Sequence, residues 1–277
     1  MHVTIMTSHD ELPHSPMQIR GKVVLITGAS EGIGAACAAE FRNRGAKLSL
    51  TARSAENLAR VGAGDAILTV GDLKDPAVRK EAVERTVAAH GRIDILINNA
   101  GIGLYAPAHL APMDAIRDMF ELNLFAVLHM VQLVVPGMKD RHSGCIVNIG
   151  SIAGKVTLPW FTAYSASKSA LGALTDGLRM ELRAFGIHTM TVCPGYVKTG
   201  FQKHVLAGVP PELIGRTRQW AISAEKCAAD IADGVERDSR TVVTPRSGWL
   251  LIALQRLLPS VVDRQLEKIY HKEAAGA

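Results

Sequence analysis

The chain is poor in cysteine. Only Cys37, Cys145, Cys193 and Cys227 occur in 277 residues, with no C-x-x-C pair and no zinc-like spacing. That excludes a disulfide-stapled scaffold and a structural zinc site. Cys145 and Cys193 sit inside apolar runs, as small buried thiols of a reducing compartment do. The ten histidines are scattered, with no H-E-x-x-H, so no metal is expected. No long apolar run lies near either end. The first twenty residues lack the apolar core of about 7–15 residues that marks a secretory signal. Trp249 to Leu254 falls far short of the ~20 residues that span a bilayer. A soluble, cytoplasmic protein is the expectation. A surplus of one charge is also missing: 31 Lys and Arg face 26 Asp and Glu, interleaved along the chain, which disfavours nucleic acid as a partner.

What is present is the composition of an ordinary globular chain, 48% hydrophobic and 21% charged, and neither disordered nor collagen-like. From Lys22 onward, short apolar runs alternate with longer amphipathic stretches. The runs Val23–Thr27, Lys47–Ala52, 66–70, 93–98, 144–150, 187–193 and Thr241–Thr244 are continuous rather than alternating, as in strands covered on both faces. Helical pattern fills 32–44, Pro76–His90, 113–138, 163–185 and 224–238. Strands separated by helices predict one α/β domain, a doubly wound, Rossmann-type parallel sheet of about seven strands with helices on both faces. Residues 1–20 read as a flexible extension, within which Met17 is a second candidate start. Residues 21–246 form the domain, including a substrate loop at 196–220 rich in glycine, proline and apolar residues. Residues 247–277 form an amphipathic helical tail.

The first strand runs into Thr27-Gly28-Ala29-Ser30-Glu31-Gly32-Ile33-Gly34 and then an alanine-rich helix. Glycines there let the backbone turn sharply and approach a pyrophosphate, which the helix N-terminus receives with free N–H groups and a partial positive charge. Gly28, Ser30, Gly32, Ile33 and Gly34 are therefore candidate dinucleotide contacts; a tight turn that simply needs small residues is the alternative. The second strand ends in Arg53, with no acid to hold a ribose 2′-hydroxyl. A guanidinium there suits a 2′-phosphate, so NADP(H) is the favoured cofactor. Otherwise Arg53 is a solvated loop charge. Ser30 can add a hydroxyl to the same phosphate, whereas Glu31 would repel it unless turned away. Asp72, after the third strand, can accept from an adenine amino group or cap the next helix.

Thr27–Gly34, Asn98-Asn99-Ala100-Gly101, Ser151, Tyr164-Ser165-Ala166-Ser167-Lys168 and Pro194-Gly195 stand in the order and approximate spacing of the short-chain dehydrogenase/reductase family, which the chain resembles over about residues 20–245. The resemblance implies a nicotinamide-dependent oxidoreductase acting on a small carbonyl or alcohol. Tyr164 and Lys168, at i and i+4, share one helix face. A free phenol titrates near pH 10, too high for general acid–base work at neutrality. A neighbouring ammonium, and the positive nicotinamide of the oxidised complex, would lower that value, so Tyr164 is the expected proton donor or acceptor. Ser151 can steady the substrate oxygen. The family assigns Lys168 to the nicotinamide ribose as well. It also implies that Asn123 orders a water relaying protons to Lys168.

The resemblance further assigns Asn99, Ala100 and Gly101 to the adenosine side, with Asn98 mainly structural. After Pro194 and Gly195, the Val197 backbone and the Thr199 hydroxyl would face the carboxamide and pyrophosphate. Glu31 departs from the pattern, since many NADP-preferring relatives place a base there. Tyr105, Trp160, Phe161, Tyr196 and Phe201 are candidate walls for a mainly apolar substrate. The tail combines Trp249, Leu250, Leu251, Leu254, Leu257 and Leu258 with Arg256, Arg264 and Lys268. It is expected to pack on the cleft or a partner subunit rather than on a membrane surface. Helices 113–138 and 163–185 resemble the pair that builds family homodimers or homotetramers. An NADP(H)-binding redox sensor on the same fold is the alternative function. A serine hydrolase is disfavoured, because Ser151 lacks glycines two before and two after it.

Overall fold

A computed structural model describes residues 17–62, 64–208 and 221–274. Residues 1–16 of the expected extension and 209–220 of the expected substrate loop lie outside the described residues. The strands are β1 (Val23–Thr27), β2 (Lys47–Ala52), β3 (Ile67–Val70), β4 (Ile95–Asn98), β5 (Gly144–Ile149), β6 (Ile187–Pro194), β7 (Val197–Lys198), β8 (Ile222–Ser223) and β9 (Thr241–Thr244). Seven of them form one parallel sheet in the order β3-β2-β1-β4-β5-β6-β9; β7 and β8 pair separately.

The helices are α1 (Gly32–Asn43), α2 (Ala55–Val61), α3 (Pro76–His90), α4 (Met113–Phe120), α5 (Ala126–Asp140), α6 (Thr162–Leu182), α7 (Ala224–Glu236), α8 (Gly248–Leu257) and α9 (Pro259–Ala274). Successive strand side chains point to opposite faces. Val24, Ile26, Ile95, Ile97 and Val147 pack with Cys37 and Phe41 of α1 and Ile231 of α7. Leu25, Leu96 and Ile146, between them in sequence, pack with Val83 of α3, Met130 and Val134 of α5, and Leu178 of α6. Because both faces are covered, the strands read as unbroken apolar runs. This is the doubly wound, Rossmann-type fold. Strand order reverses between β1 and β4, which opens a crevice at their C-terminal ends.

Local features differ from expectation. The helix expected over 113–138 contains a π-helical turn at Glu121–Phe125 between α4 and α5. Met113–Asp140 is also long and apolar enough by composition to cross a membrane. Met119, Met130, Val134 and Met138 are instead buried in the core of this domain. The tail is two helices rather than one segment, with Pro259 opening the second, where its missing N–H costs nothing.

Candidate active site

Gly28 begins the crevice. Its φ of +63 lies in the left-handed region, and a Cβ would stand 2.8 Å from the Ala100 Cα. A Cβ on Gly34 would meet the Gly28 carbonyl oxygen at 2.2 Å, so this glycine serves helix-to-turn packing. Asn99 clasps the turn from the neighbouring strand, donating from Nδ2 to the carbonyls of Thr27 at 2.9 Å and Gly28 at 3.0 Å. The Thr27 hydroxyl accepts from the N–H groups of Asn99 and Ala100. Asn98 works below them: its Nδ2 donates to Asn148 Oδ1, and Asn148 Nδ2 donates to the Thr175 hydroxyl of α6. The N-terminus of α1 has no side-chain cap. Its first-turn N–H groups therefore suit an anion, as a pyrophosphate requires.

A cavity of about 880 Å³ runs from this turn across the C-terminal ends of the central strands. It is lined by Gly28, Ser30, Gly32, Ile33, Arg53, Asp72, Asn99, Ala100 and Gly101 toward β1–β4, and by Ser151, Tyr164, Lys168, Pro194, Gly195, Val197 and Thr199 toward β5 and β6. The volume and the two-ended layout fit a dinucleotide with room for a substrate. Gly34 and Asn123, of the expected set, lie behind the walls. Of its two expected contexts Asp72 keeps the first only: it lines the cavity and accepts from Lys74 N–H at 2.9 Å, but it does not cap the next helix. The cap of α3 is a different acid, Asp75, bonded to Ala77 N–H. Asn57, which sequence reasoning missed, lines the cavity beside Arg53. It sits one turn into α2, a helix too short to show a periodic signal.

Ser151 leaves β5 in extended conformation and caps a single 3₁₀ turn, Ile152–Gly154, by accepting from Ala153 N–H at 3.1 Å. Its side chain also lies near enough to the Tyr164 phenol to favour the ionised form of that group. Tyr164 and Lys168 both project from α6 and are almost wholly buried. Burial works against the expected lowering of the phenol. Burial pushes Tyr164 up to about 12, with Tyr105 adding to the rise and Ser151 opposing it. The Lys168 ammonium lies 5.9 Å from the phenol ring centre and donates to the Ile149 carbonyl at 2.8 Å. Burial pulls Lys168 down to about 8, with Cys193 opposing. Desolvation thus moves each group toward its neutral form, yet Lys168 at about 8 still holds its proton at neutral pH.

Asn123, in the π turn, spends its side chain on partners inside the protein. Its Nδ2 donates to the Ile102 carbonyl at 2.9 Å and the Ser167 hydroxyl at 3.1 Å, while Oδ1 accepts from Ile102 N–H at 2.9 Å. The side chain clips residue 102 to α6. A Cβ on Gly101 would stand 3.1 Å from Asn123 Oδ1 and 3.3 Å from Lys168 Nζ, so the three meet at one point. A π turn shifts the ladder by one residue, which aims this amide inward.

Beyond Tyr164 the cavity is apolar. Phe161 stacks edge-on against Tyr105 at 4.5 Å and Tyr164 at 5.5 Å, and Phe201 stands 5.9 Å from Tyr164. Tyr196, Val156 and Leu158 line it too, and Leu251 of α8 with Val262 and Leu266 of α9 close the far side. Trp160 is no part of that wall. It stacks at 5.5 Å on Tyr270 of α9 and holds the tail in place.

The chain matches the family model for short chain dehydrogenase over residues 22–209. It is 32% identical over 270 residues to Dehydrogenase/reductase SDR family member 7B of Danio rerio, covering 92% of this chain and 87% of that one. A short-chain dehydrogenase/reductase from Burkholderia phymatum, solved in complex with NAD, superposes with a TM-score of 0.80 at 25% identity, covering 90% of this chain and 96% of that one. A short chain dehydrogenase from Burkholderia cenocepacia, solved with NADP, gives 0.76 at 27% identity, covering 90% and 99%.

Proposed function

The chain belongs to the short-chain dehydrogenase/reductase family of oxidoreductases, and from that premise we propose that it moves a hydride between NADP(H) and a mainly apolar carbonyl or secondary alcohol. The observation that carries the reading is the meeting of Ser151, Tyr164 and Lys168 on the wall between the glycine turn and the apolar half of one cavity. The bound nicotinamide supplies or accepts the hydride. Gly28, Gly32 and the uncapped α1 N-terminus suit its pyrophosphate, and Arg53 with Ser30 suits a 2′-phosphate.

Ser151 holds the substrate oxygen against the Tyr164 phenol, and the aromatic and aliphatic wall excludes water. A phenol raised to about 12 keeps its proton at neutral pH. That favours Tyr164 as donor to a substrate oxygen gaining negative charge, the role required in carbonyl reduction. Lys168 carries positive charge behind it and steadies the phenolate left after the transfer.

The test is NADPH oxidation by the purified protein across apolar ketones and aldehydes. Wild type should turn over. Tyr164→Phe should lose about 100-fold or more in kcat, the scale of a general acid. Its NADPH affinity should stay within about threefold of wild type, since cofactor binding is spread over many contacts. Turnover retained in that variant would sink the assignment.

A further inference from the structure

We infer that the outer face of the C-terminal helical pair, α8 and the start of α9, docks on an anionic lipid bilayer surface. The pair is firmly seated on its inner side. Ile252 is buried with Val156, Cys193 and Val243, and a Cβ on Gly248 would stand 2.7 Å from Ile152 and 2.8 Å from Val243. Its outer side is apolar and open. Trp249, Leu250, Leu254, Leu257, Leu258 and Val261 are all exposed, Leu250 at 66% and Leu257 at 78%. Seven of the fourteen exposed large hydrophobic residues among the described ones lie between Trp249 and Val261. An apolar patch this concentrated on one element marks an interaction surface rather than the scatter of single exposed side chains.

Charge decides the occupant. α8 carries no acid, and from 246 to 264 the charged residues are Arg246, Arg256 and Arg264 against the single Asp263. An apolar centre with an aromatic and a basic rim matches the acyl boundary and headgroups of an anionic leaflet, where each Lys or Arg adds to the attraction. A second copy fits less well. A two-fold pairing of this face uses the same patch on both subunits, so it sets one net basic surface against another. The face also adjoins the cavity, because Leu251 both lines it and is partly exposed. Lipid docking does not rest on the proposed reaction, since vesicle binding is read without substrate or turnover.

The experiment is flotation of the full chain with vesicles of phosphatidylcholine alone and of phosphatidylcholine with about one-third phosphatidylglycerol. Binding to the anionic vesicles should be at least about tenfold tighter and should weaken in raised salt. Leu250→Asp with Leu257→Asp should weaken it by about tenfold or more, with far-UV circular dichroism and the melting temperature unchanged, because both side chains face solvent. Arg256→Glu with Arg264→Glu, a second exposed pair, should remove the preference for anionic vesicles. Absence of binding to either vesicle, or binding unaltered in both double variants, would overturn the inference. A concentration-dependent dimer that Leu250→Asp with Leu257→Asp dissolves, with no vesicle binding, would assign the face to a second copy instead.

Discussion

Replacing Asn123 with alanine separates two roles for this residue, because one predicts a loss of stability and the other does not. The side chain makes hydrogen bonds to Ile102 N–H, Ile102 C=O and the Ser167 hydroxyl, all inside the protein. Asn123→Ala strands both backbone groups of a buried residue, each costing about 1–3 kcal/mol. Ser167 keeps its bond to the Tyr164 carbonyl, so its hydroxyl stays paired. The expected cost is on the order of 3–5 kcal/mol, a large share of the 5–15 kcal/mol that holds a typical domain together. Ser167→Ala removes two hydrogen bonds, one to the Tyr164 carbonyl and one from Asn123 Nδ2, but strands neither backbone group of Ile102, and should cost about 1–2 kcal/mol.

Urea unfolding followed by far-UV circular dichroism measures both, with turnover recorded on the folded variants. Residue 102 follows Gly101, which faces Lys168 Nζ, so loss of the clip should lower stability and activity together. A loss of less than about 1 kcal/mol in Asn123→Ala, accompanied by a collapse in kcat, would refute the clip and return the residue to the water relay.

Arg53 lines the cavity at the end of β2, where a charge-assisted bond to a 2′-phosphate is worth about 1.5–3 kcal/mol; Arg53→Ala should weaken NADPH binding by about 10- to 100-fold and leave NADH within about threefold. Equal losses for both cofactors, measured by titration calorimetry, would remove the phosphate role. Lys168 titrates near 8 when folded and near 10.5 when unfolded, so over that window the unfolded chain binds more protons and the folded state gains stability as pH rises. Lys168→Met lacks this gain; the difference in unfolding free energy between wild type and variant should shift by on the order of 2 kcal/mol from pH 7 to pH 10, and a constant difference would contradict the buried ammonium. Tyr164 acts in the opposite sense only above about pH 10, where the unfolded chain loses a proton that the folded one keeps.

Much of the fold was legible because its determinants are local. Strands buried on both faces must be apolar throughout, so Val23–Thr27 and Lys47–Ala52 could be read to the residue. Proline after aspartate opened α3 at Pro76 and a left-handed Gly91 closed it. The turn at Gly28 announced itself because only glycine takes that φ so close to another backbone. The π turn was silent, because Glu121–Phe125 has the same helical composition as its flanks. The shift lies in which carbonyl each N–H finds.

Sequence by itself determined the alternation of strands and helices, the phosphate-ready turn, and the pairing of Tyr164 with Lys168 on one helix face. Each follows from residues within a few positions of one another. Tertiary structure alone decided the rest. It drove both Tyr164 and Lys168 toward neutrality, because desolvation depends on residues such as Tyr105 and Phe201 brought from distant segments. It turned Asn123 into a clip, took Trp160 out of the substrate wall to meet Tyr270, and set Leu251 and Leu266 over the cavity. Contacts between residues a hundred positions apart leave no periodic trace in a chain; they exist only once the sheet has brought the loops together.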